Sequence, residues 1–493
     1  MNAARLVPGW RAGAAALGVL ACAGCAVGPD FAPPAAPATA RYVPGPEPAA
    51  PEMPALDTRA PIDADWWRVF GSAELDALVQ RALAGSPQLD AARARLVRAQ
   101  ELLAARAGGA ASPAVDAVFG AQRQRIDPAT FGFPQAPNPG PFNVFALGAN
   151  VSYDFDVFGA TRRALEAAGA EVDLQRFELE AARLVLAGNV VLTSIRIAAL
   201  DAQIEALAAM LATEREQLAI AEARLAAGGD SVLDVQGVRL RLAQAEAALP
   251  PMQAERAQAG HLLAVLVGEA PADAALAVPA LGALQLPAAL PLRVPSELVR
   301  RRPDIRASEA LLHKASANLG VATADLYPKF VVGGSLSTSQ LEMSELFGNG
   351  INVWNIGLNL LQPLLRGGEL KARQRAAAAA YDEAAAAYRQ SVLRGLQEVA
   401  NALRALQADS LAYASRSEQA ARAGEAERIV VARLEAGGVS RLAWLDAERV
   451  RSQARLDQAQ AQASRFASVA VLLQALGGGE MQGAGEERTS GPR

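Results

Sequence analysis

Hydrophobic residues recur along this chain with two different periods. From about Thr161 to Leu225 no proline occurs. Within that run Ile197, Leu200, Ile204, Leu207, Leu211, Leu218 and Leu225 follow a 3-4 spacing, with Glu214 and Ala221 at the two gaps in the register. A sustained 3.5 period predicts a helix with a coiled-coil seam and left-handed supercoiling. At about 1.5 Å per residue such a helix is on the order of 100 Å long, far more than a globular domain needs. The pattern returns from about Leu370 to Leu434, where Leu396, Val399, Leu403, Leu406 and Tyr413 mark the seam. Shorter return helices are predicted over roughly Leu233–Leu266 and Leu442–Leu476, the first with a break at Pro250-Pro251. Gly228-Gly229 and Gly437-Gly438 then fall at the tips of two helical hairpins, where glycine supplies a left-handed cap. An earlier helical stretch runs from Leu75 to about Ala105.

Four other segments alternate with period two. Phe145, Leu147, Ala149, Val151, Tyr153, Phe155 and Val157 interleave with Ala146, Gly148, Asn150, Ser152, Asp154 and Asp156. Trp354, Ile356, Leu358 and Leu360 interleave with Asn355, Gly357 and Asn359, and weaker versions lie at Val115–Arg123 and Phe330–Thr338. Alternation of this kind predicts strands with one apolar and one polar face, over about 113–125, 142–157, 329–340 and 351–363. A soluble sheet packed on a helix is the competing reading. Each segment has about ten residues, the length of a tilted membrane-spanning strand, and no apolar run of helix-spanning length remains elsewhere. Four strands cannot close a barrel, and open edges cannot be left in lipid, so the chain is expected to oligomerise. Two copies supply eight strands and three supply twelve; periodicity does not choose. On this reading Asn150, Ser152, Asp154, Asp156, Asn355 and Asn359 line a pore.

The chain also repeats itself. Arg224-Leu-Ala-Ala-Gly-Gly-Asp-Ser-Val-Leu is answered by Arg433-Leu-Glu-Ala-Gly-Gly-Val-Ser-Arg-Leu, and Pro87-Gln-Leu-Asp by Pro303-Asp-Ile-Arg. Both pairs share an offset of about 210 residues, which predicts a tandem duplication of one large unit. The expected divisions are a processing segment over 1–24, a Pro/Ala-rich linker over 25–62, repeats over 63–282 and 283–477, and a tail over 478–493. The hairpin tips fall at about 224–234 and 433–446.

Composition removes several function classes. A net charge of −4 over 493 residues makes no case for nucleic acid. The two cysteines, Cys22 and Cys25, sit near the amino terminus, so the body has no disulfide framework and no thiol nucleophile. His261 and His313 are the only histidines and stand apart in helical sequence. With no phosphate loop, nucleophile elbow or metal-ligand cluster, neither catalysis nor a cofactor is expected. Arg5 and Arg11 precede an apolar run from Ala14 to Ala21 that is too short for a permanent span and reads as an export signal. Small residues before Cys25 suggest a lipoprotein signal with Cys25 acylated; Cys22 is the second candidate, and an ordinary secretory signal the third. Neither cysteine is followed by aspartate.

Several stretches carry a family resemblance. Gly24-Cys25-Ala-Val-Gly-Pro-Asp-Phe-Ala-Pro-Pro, Asp65-Trp-Trp-Arg-Val-Phe and Pro295-Ser-Glu-Leu-Val-Arg-Arg-Arg-Pro-Asp-Ile-Arg are the most specific. Phe155-Asp-Val-Phe-Gly and Ala475-Leu-Gly-Gly-Gly add to them. Together they resemble the outer-membrane efflux lipoproteins of the TolC superfamily over nearly the whole mature chain. The resemblance implies a mixed α and transmembrane-β fold. A homotrimer would form a twelve-stranded barrel in outer-membrane lipid, four strands per protomer, continued by a periplasmic helical barrel of coiled-coil hairpins. It also implies a passive, gated exit duct for small molecules such as drugs. The duct would dock on a periplasmic adaptor and an inner-membrane transporter of the proton-coupled RND type. Asp446 matches one constriction-ring aspartate of the family; the other falls on Ala443, whose counterpart in the first repeat is Asp234. Three Asp446 carboxylates on a three-fold axis would raise one another's pKa and attract cations.

Adaptor docking is implied for Arg224, Leu225, Gly228, Gly229 and Ser231, and for Arg433, Leu434, Gly437, Gly438 and Ser440; plain helix capping would explain the same residues. The Arg300-Arg301-Arg302 run reads as an ion-pair position. Arg366, in Pro363-Leu-Leu-Arg-Gly-Gly, replaces the aspartate of Pro-Leu-Phe-Asp-Gly-Gly in many relatives. A type I protein-secretion duct and a periplasmic coiled-coil scaffold are the alternatives. Cys25→Ala is predicted to reach the outer membrane as a trimer, tested by fractionation and native electrophoresis; a fully soluble monomer would contradict the barrel.

Overall fold

The two periods separate into different secondary structure in a computed structural model that describes residues 26–35, 37–348 and 353–479. Cys22 and Cys25, the processing segment and most of the tail lie outside the described residues. In chain order the elements begin with β1 (Ala55–Asp57), α1 (Ala73–Gly85), α2 (Pro87–Ala111), β2 (Ala114–Gln124) and β3 (Phe142–Phe155). Next come α3 (Ala160–Ala226), α4 (Val232–Val267), β4 (Ala289–Pro291), α5 (Pro295–Arg301) and α6 (Pro303–Ala324). The chain finishes with β5 (Lys329–Gln340), β6 (Val353–Leu361), α7 (Glu369–Glu435) and α8 (Arg441–Ala475). It divides into a unit of Arg95–Gln175 and Ser308–Tyr388 with the segment ending at Pro33, and a second unit of Pro34–Ala94, Arg176–Ala307 and the chain from Arg389 onward.

The first unit is built on one antiparallel sheet of order β2-β3-β5-β6. Its first described residues are clasped to the flanking helices. Arg163, 5% exposed, pairs with Asp30 at 2.6 Å and Glu166 at 2.7 Å, while Val27 donates its N–H to the Phe158 carbonyl. Phe31 stacks on His313 at 4.4 Å, and Glu166 meets the His313 ring nitrogen at 2.9 Å. The histidine that stands alone in sequence is thus a packing residue.

The second unit holds the large apolar core. Trp67, Phe70, Leu75, Val190, Ile195, Leu263, Leu298, Val399, Leu406, Phe466 and Leu473 are all buried, drawn from both hairpins, from α1 and α5 and from the chain that precedes α1. Phe70 and Phe466 meet edge to face with centroids 6.2 Å apart. The Pro/Ala-rich segment lies along this unit: β1 pairs in parallel with β4, Tyr42 donates to the Arg293 carbonyl at 2.7 Å, and Arg465 reaches Glu52 at 3.2 Å. Arg302, 8% exposed, pairs with Asp304 and Glu398 and donates to the Ala475 carbonyl, which accounts for one arginine of the 300–302 run.

Two expectations are corrected here. The helix α4 runs unbroken through Pro250 and Pro251. Proline's fixed φ suits a helix, and the carbonyls deprived of a donor belong to Glu246 and Ala247, which are exposed and open to water. The expectation that no helix is apolar enough to span also fails, since α3 contains such a window; 67% of it is buried, as in a core helix. Phe466→Ala is predicted to cost about 3–5 kcal/mol by leaving a cavity against Phe70. A thermal midpoint equal to wild type would contradict that packing.

Candidate functional site

Each hairpin tip is shaped by the same backbone motif. Gly228 has φ 78°, its N–H bonds the Leu225 carbonyl at 2.9 Å, and the Gly229 N–H bonds the Arg224 carbonyl at 2.7 Å. Gly437 (φ 74°) and Gly438 repeat this on Leu434 and Arg433 at 3.0 and 2.7 Å. These paired bonds satisfy carbonyls orphaned at the helix end and require a left-handed residue at the first glycine only. Ser231 and Ser440 then cap the return helices, accepting from the N–H groups of Asp234 and Ala443. Arg224 pairs with Asp230 at 3.0 Å.

Asp234 and Asp446 occupy different environments. The Asp234 carboxylate accepts from the Ser231 hydroxyl at 2.7 Å and the Ser231 N–H at 2.9 Å, a reciprocal capping box. These bonds hold its pKa below the usual aspartate range. The Asp234 carboxylate is thus engaged in the cap of α4. Asp446 is exposed and accepts from Gln217 at 3.0 Å across to the first hairpin.

That contact is one rung of a polar ladder between α3 and α8. Glu216 takes a two-point bond from Arg441, Nε to Oε1 at 2.7 Å and Nη2 to Oε2 at 3.1 Å. The Arg441 guanidinium also lies 3.9 Å from the Trp444 ring centre. Glu214, 2% exposed, sits between Arg241 at 3.4 Å and Arg449 at 3.8 Å, and Gln203 meets Gln460 at 2.7 Å. Glu214 is one of the two seam positions where the 3-4 pattern lacks an aliphatic residue. A charged side chain at a seam position was the available signal; the partners Arg441, Arg449 and Gln217 had none, because nothing in one-dimensional spacing pairs helices over 200 residues apart.

The sheet sorts its residues by register. Asp116, Asn150, Ser335 and Asn355 stand opposite one another across all four strands, with Asn355 donating to Ser335 at 2.6 Å. Asp154, Val331 and Asn359 form a second row on that face, and Ala114, Ser152, Gly333 and Gly357 a third. The opposite face carries Val115, Val151 and Ile356, then Leu336 and Trp354, then Tyr153, Val332 and Leu358, then Phe155, Phe330 and Leu360. On β6, Trp354, Ile356, Leu358 and Leu360 are 60% to 76% exposed. Among the described residues neither β2 nor β6 has a strand on its outer side. Asp156 departs from the expected lining role: it lies beyond the end of β3 and accepts from the N–H groups of Thr161 and Arg162, capping α3. Arg366 lies in the exposed turn between β6 and α7.

An open sheet with one aromatic-aliphatic exposed face and one polar face, carried with long helical hairpins, defines the outer-membrane channel class. A profile of the family described as outer membrane efflux protein matches residues 78–269 and 294–478. The pyoverdine export outer membrane protein OpmQ of Pseudomonas aeruginosa is 29% identical over 447 residues, covering 90% of this chain and 91% of that one. The outer membrane protein OprJ of the same species is 30% identical over 478 residues, covering 93% and 94%. The solved outer-membrane channel OprN superposes with a TM-score of 0.79 at 29% identity, covering 92% of this chain and 99% of its own. The chain belongs to the outer membrane efflux protein family and is an outer-membrane efflux channel with a periplasmic extension. Members of this family are transport ducts rather than enzymes.

The hydrogen bond from Arg441 holds the Glu216 carboxyl below the usual glutamate range. A depressed folded pKa contributes stability that is complete above the unfolded value and lost as pH falls through the folded one. Arg441→Ala is therefore expected to lower amide protection in the first turns of α8 at pH 7. Wild type should reach that level only on acidification below about pH 4, the ordinary carboxylate range. Equal protection at pH 7 in both proteins would contradict a stabilising Glu216–Arg441 pair.

Proposed function

We propose that three copies of this chain close a twelve-stranded barrel in the outer membrane and conduct small molecules outward from a periplasmic adaptor and an inner-membrane transporter of the RND type. The observation that carries this reading is the four-stranded sheet with two unpaired edges, an aromatic face and a row of Asp116, Asn150, Ser335 and Asn355. Edges that pair with neighbouring protomers leave no backbone group unsatisfied in lipid. The polar face then lines the lumen, with Asn150, Ser152, Asp154, Asn355 and Asn359 in contact with water. The two repeats, residues 63–282 and 283–477, each contribute two strands and one hairpin, and acylation at Cys25 adds a second hold on the membrane.

The hairpin tips form the gate and the docking surface. Asp446 faces the constriction, and the α3–α8 ladder through Glu216 and Arg441 holds it narrow. The tip residues Arg224, Leu225, Gly228, Gly229 and Ser231, with Arg433, Leu434, Gly437, Gly438 and Ser440, present a repeated surface to the adaptor. A passive small-molecule cargo agrees with the pyoverdine export named for OpmQ. Single-channel recording of the detergent-purified oligomer in planar bilayers tests the gate. Wild type should open rarely and with small conductance, and Asp446→Ala should lose cation preference. Identical selectivity in the two proteins would remove Asp446 from the constriction.

A further inference from the structure

We infer that the turn between β6 and α7 binds an anionic phospholipid, with Leu364 and Leu365 among the acyl chains and Arg366 on the headgroup phosphate. The inference rests on the barrel reading, which puts the helix-joined end of the sheet at the periplasmic rim of the membrane. The last rung of β6 pairs Leu361 with Lys329, and Leu364 follows within about 10 Å of chain. Leu364 and Leu365 are 92% and 90% exposed, more than any other large apolar residue described, and they follow in sequence on the exposed Ile356, Leu358 and Leu360. The turn that carries them is pinned at both ends. Gln362 donates to the Leu326 carbonyl at 3.2 Å and to the Pro363 carbonyl at 3.0 Å. The Glu369 N–H bonds the Arg366 carbonyl at 2.9 Å across Gly367 and Gly368, whose φ values of 55° and 83° favour glycine.

The turn between β3 and α3 sets the contrast. The Val27 N–H bonds the Phe158 carbonyl, Phe158 stacks on Tyr327 at 4.8 Å, and Gly159 is so close to Ala26 that a Cβ there would lie 2.8 Å away. Chain covers that turn, and no described chain covers Leu364 and Leu365. The charges say what does. Carboxylates at this end are engaged: Asp325 with Lys329 at 2.8 Å, Glu369 with Arg373 at 2.6 Å and Asp156 with Arg162 at 3.2 Å. Arg366, Lys371 and Arg375 are exposed and make no ion pair with any described residue. Lys371 and Arg375, four residues apart, share a face of α7. In the proposed ring β6 lies beside β2 of the next copy, and between Glu101 and Asp116 that chain offers Arg106 but no carboxylate. A second copy therefore brings no counter-charge to Arg366. An anionic phospholipid supplies both halves of what the turn lacks, acyl chains for the leucines and a phosphate that a guanidinium can bind at two points.

The test titrates phosphatidylglycerol, and separately phosphatidylcholine with the same acyl chains, into the detergent-purified full-length oligomer and reads retained lipid by native mass spectrometry. Wild type is expected to retain phosphatidylglycerol in preference. Arg366→Asp should weaken that retention at least about fivefold, the effect of one basic residue at an anionic surface, and leave phosphatidylcholine nearly unchanged. Leu364→Ser/Leu365→Ser should weaken both lipids. Lys371→Gln/Arg375→Gln, which leaves the turn itself intact, should lower phosphatidylglycerol retention and carries the test if Arg366→Asp does not assemble. Displacement of the lipid by inorganic phosphate at equal concentration would assign the site to a free anion and overturn the inference. So would a Leu364→Ser/Leu365→Ser oligomer that falls into single chains in lipid-free detergent, because a neighbouring copy would then cover the turn. A wild type that forms no oligomer overturns the barrel reading and this inference with it. An intact oligomer whose phosphatidylglycerol retention is unchanged in the charge variants overturns this inference alone.

Discussion

A peptide group in hydrocarbon has no bulk water to bond to, and each one left unpaired costs several kcal/mol. Four strands in the order β2-β3-β5-β6 would leave two edges in that condition, since among the described residues neither outer strand has a partner on its far side. Much else in this chain follows from it. The alternation of side chains divides the sheet into a face suited to lipid and a face suited to water, and the proposed closure by symmetry would remove the edges. Internal duplication then has a simple role: each repeat brings one pair of strands and one hairpin.

Packing in the helical unit follows a different economy. Apolar seams are interrupted where the two hairpins face each other near their tips, and polar side chains take over. Glu214, buried at 2% exposure between Arg241 and Arg449, is costly to desolvate and is retained only with both arginines near. Glu216–Arg441 lies more open to solvent and is individually weak, while Gln217, 2% exposed, reaches out to the exposed Asp446. A seam of this kind holds its register through geometry and yields more readily than an apolar one. That property suits elements proposed to separate when the duct opens.

The long helices and the strands were legible because their periods persist over many residues. The seam residues Leu207, Leu211 and Ala221 are buried, and the Phe145–Phe155 alternation is a strand that stops two residues short of Val157. Asp156 shows why the end was missed: period two continues in sequence, but its carboxylate bonds forward to the first turn of α3. Pro250-Pro251 misled in the other direction, because a proline's cost depends on whether the freed carbonyls meet water. The tips were legible through their glycines, whereas the capping of Asp234 and the Arg441 latch depend on three-dimensional neighbours. His313 reads in sequence only as a packing or surface residue, because its partners Phe31 and Glu166 come from distant segments.

The number of chains in the detergent-extracted complex tests the account most directly, because everything proposed for the sheet requires its edges to be closed by other copies. Native mass spectrometry of the outer-membrane extract is expected to give three chains per complex. A stable single chain that keeps its strands protected in lipid would contradict the account.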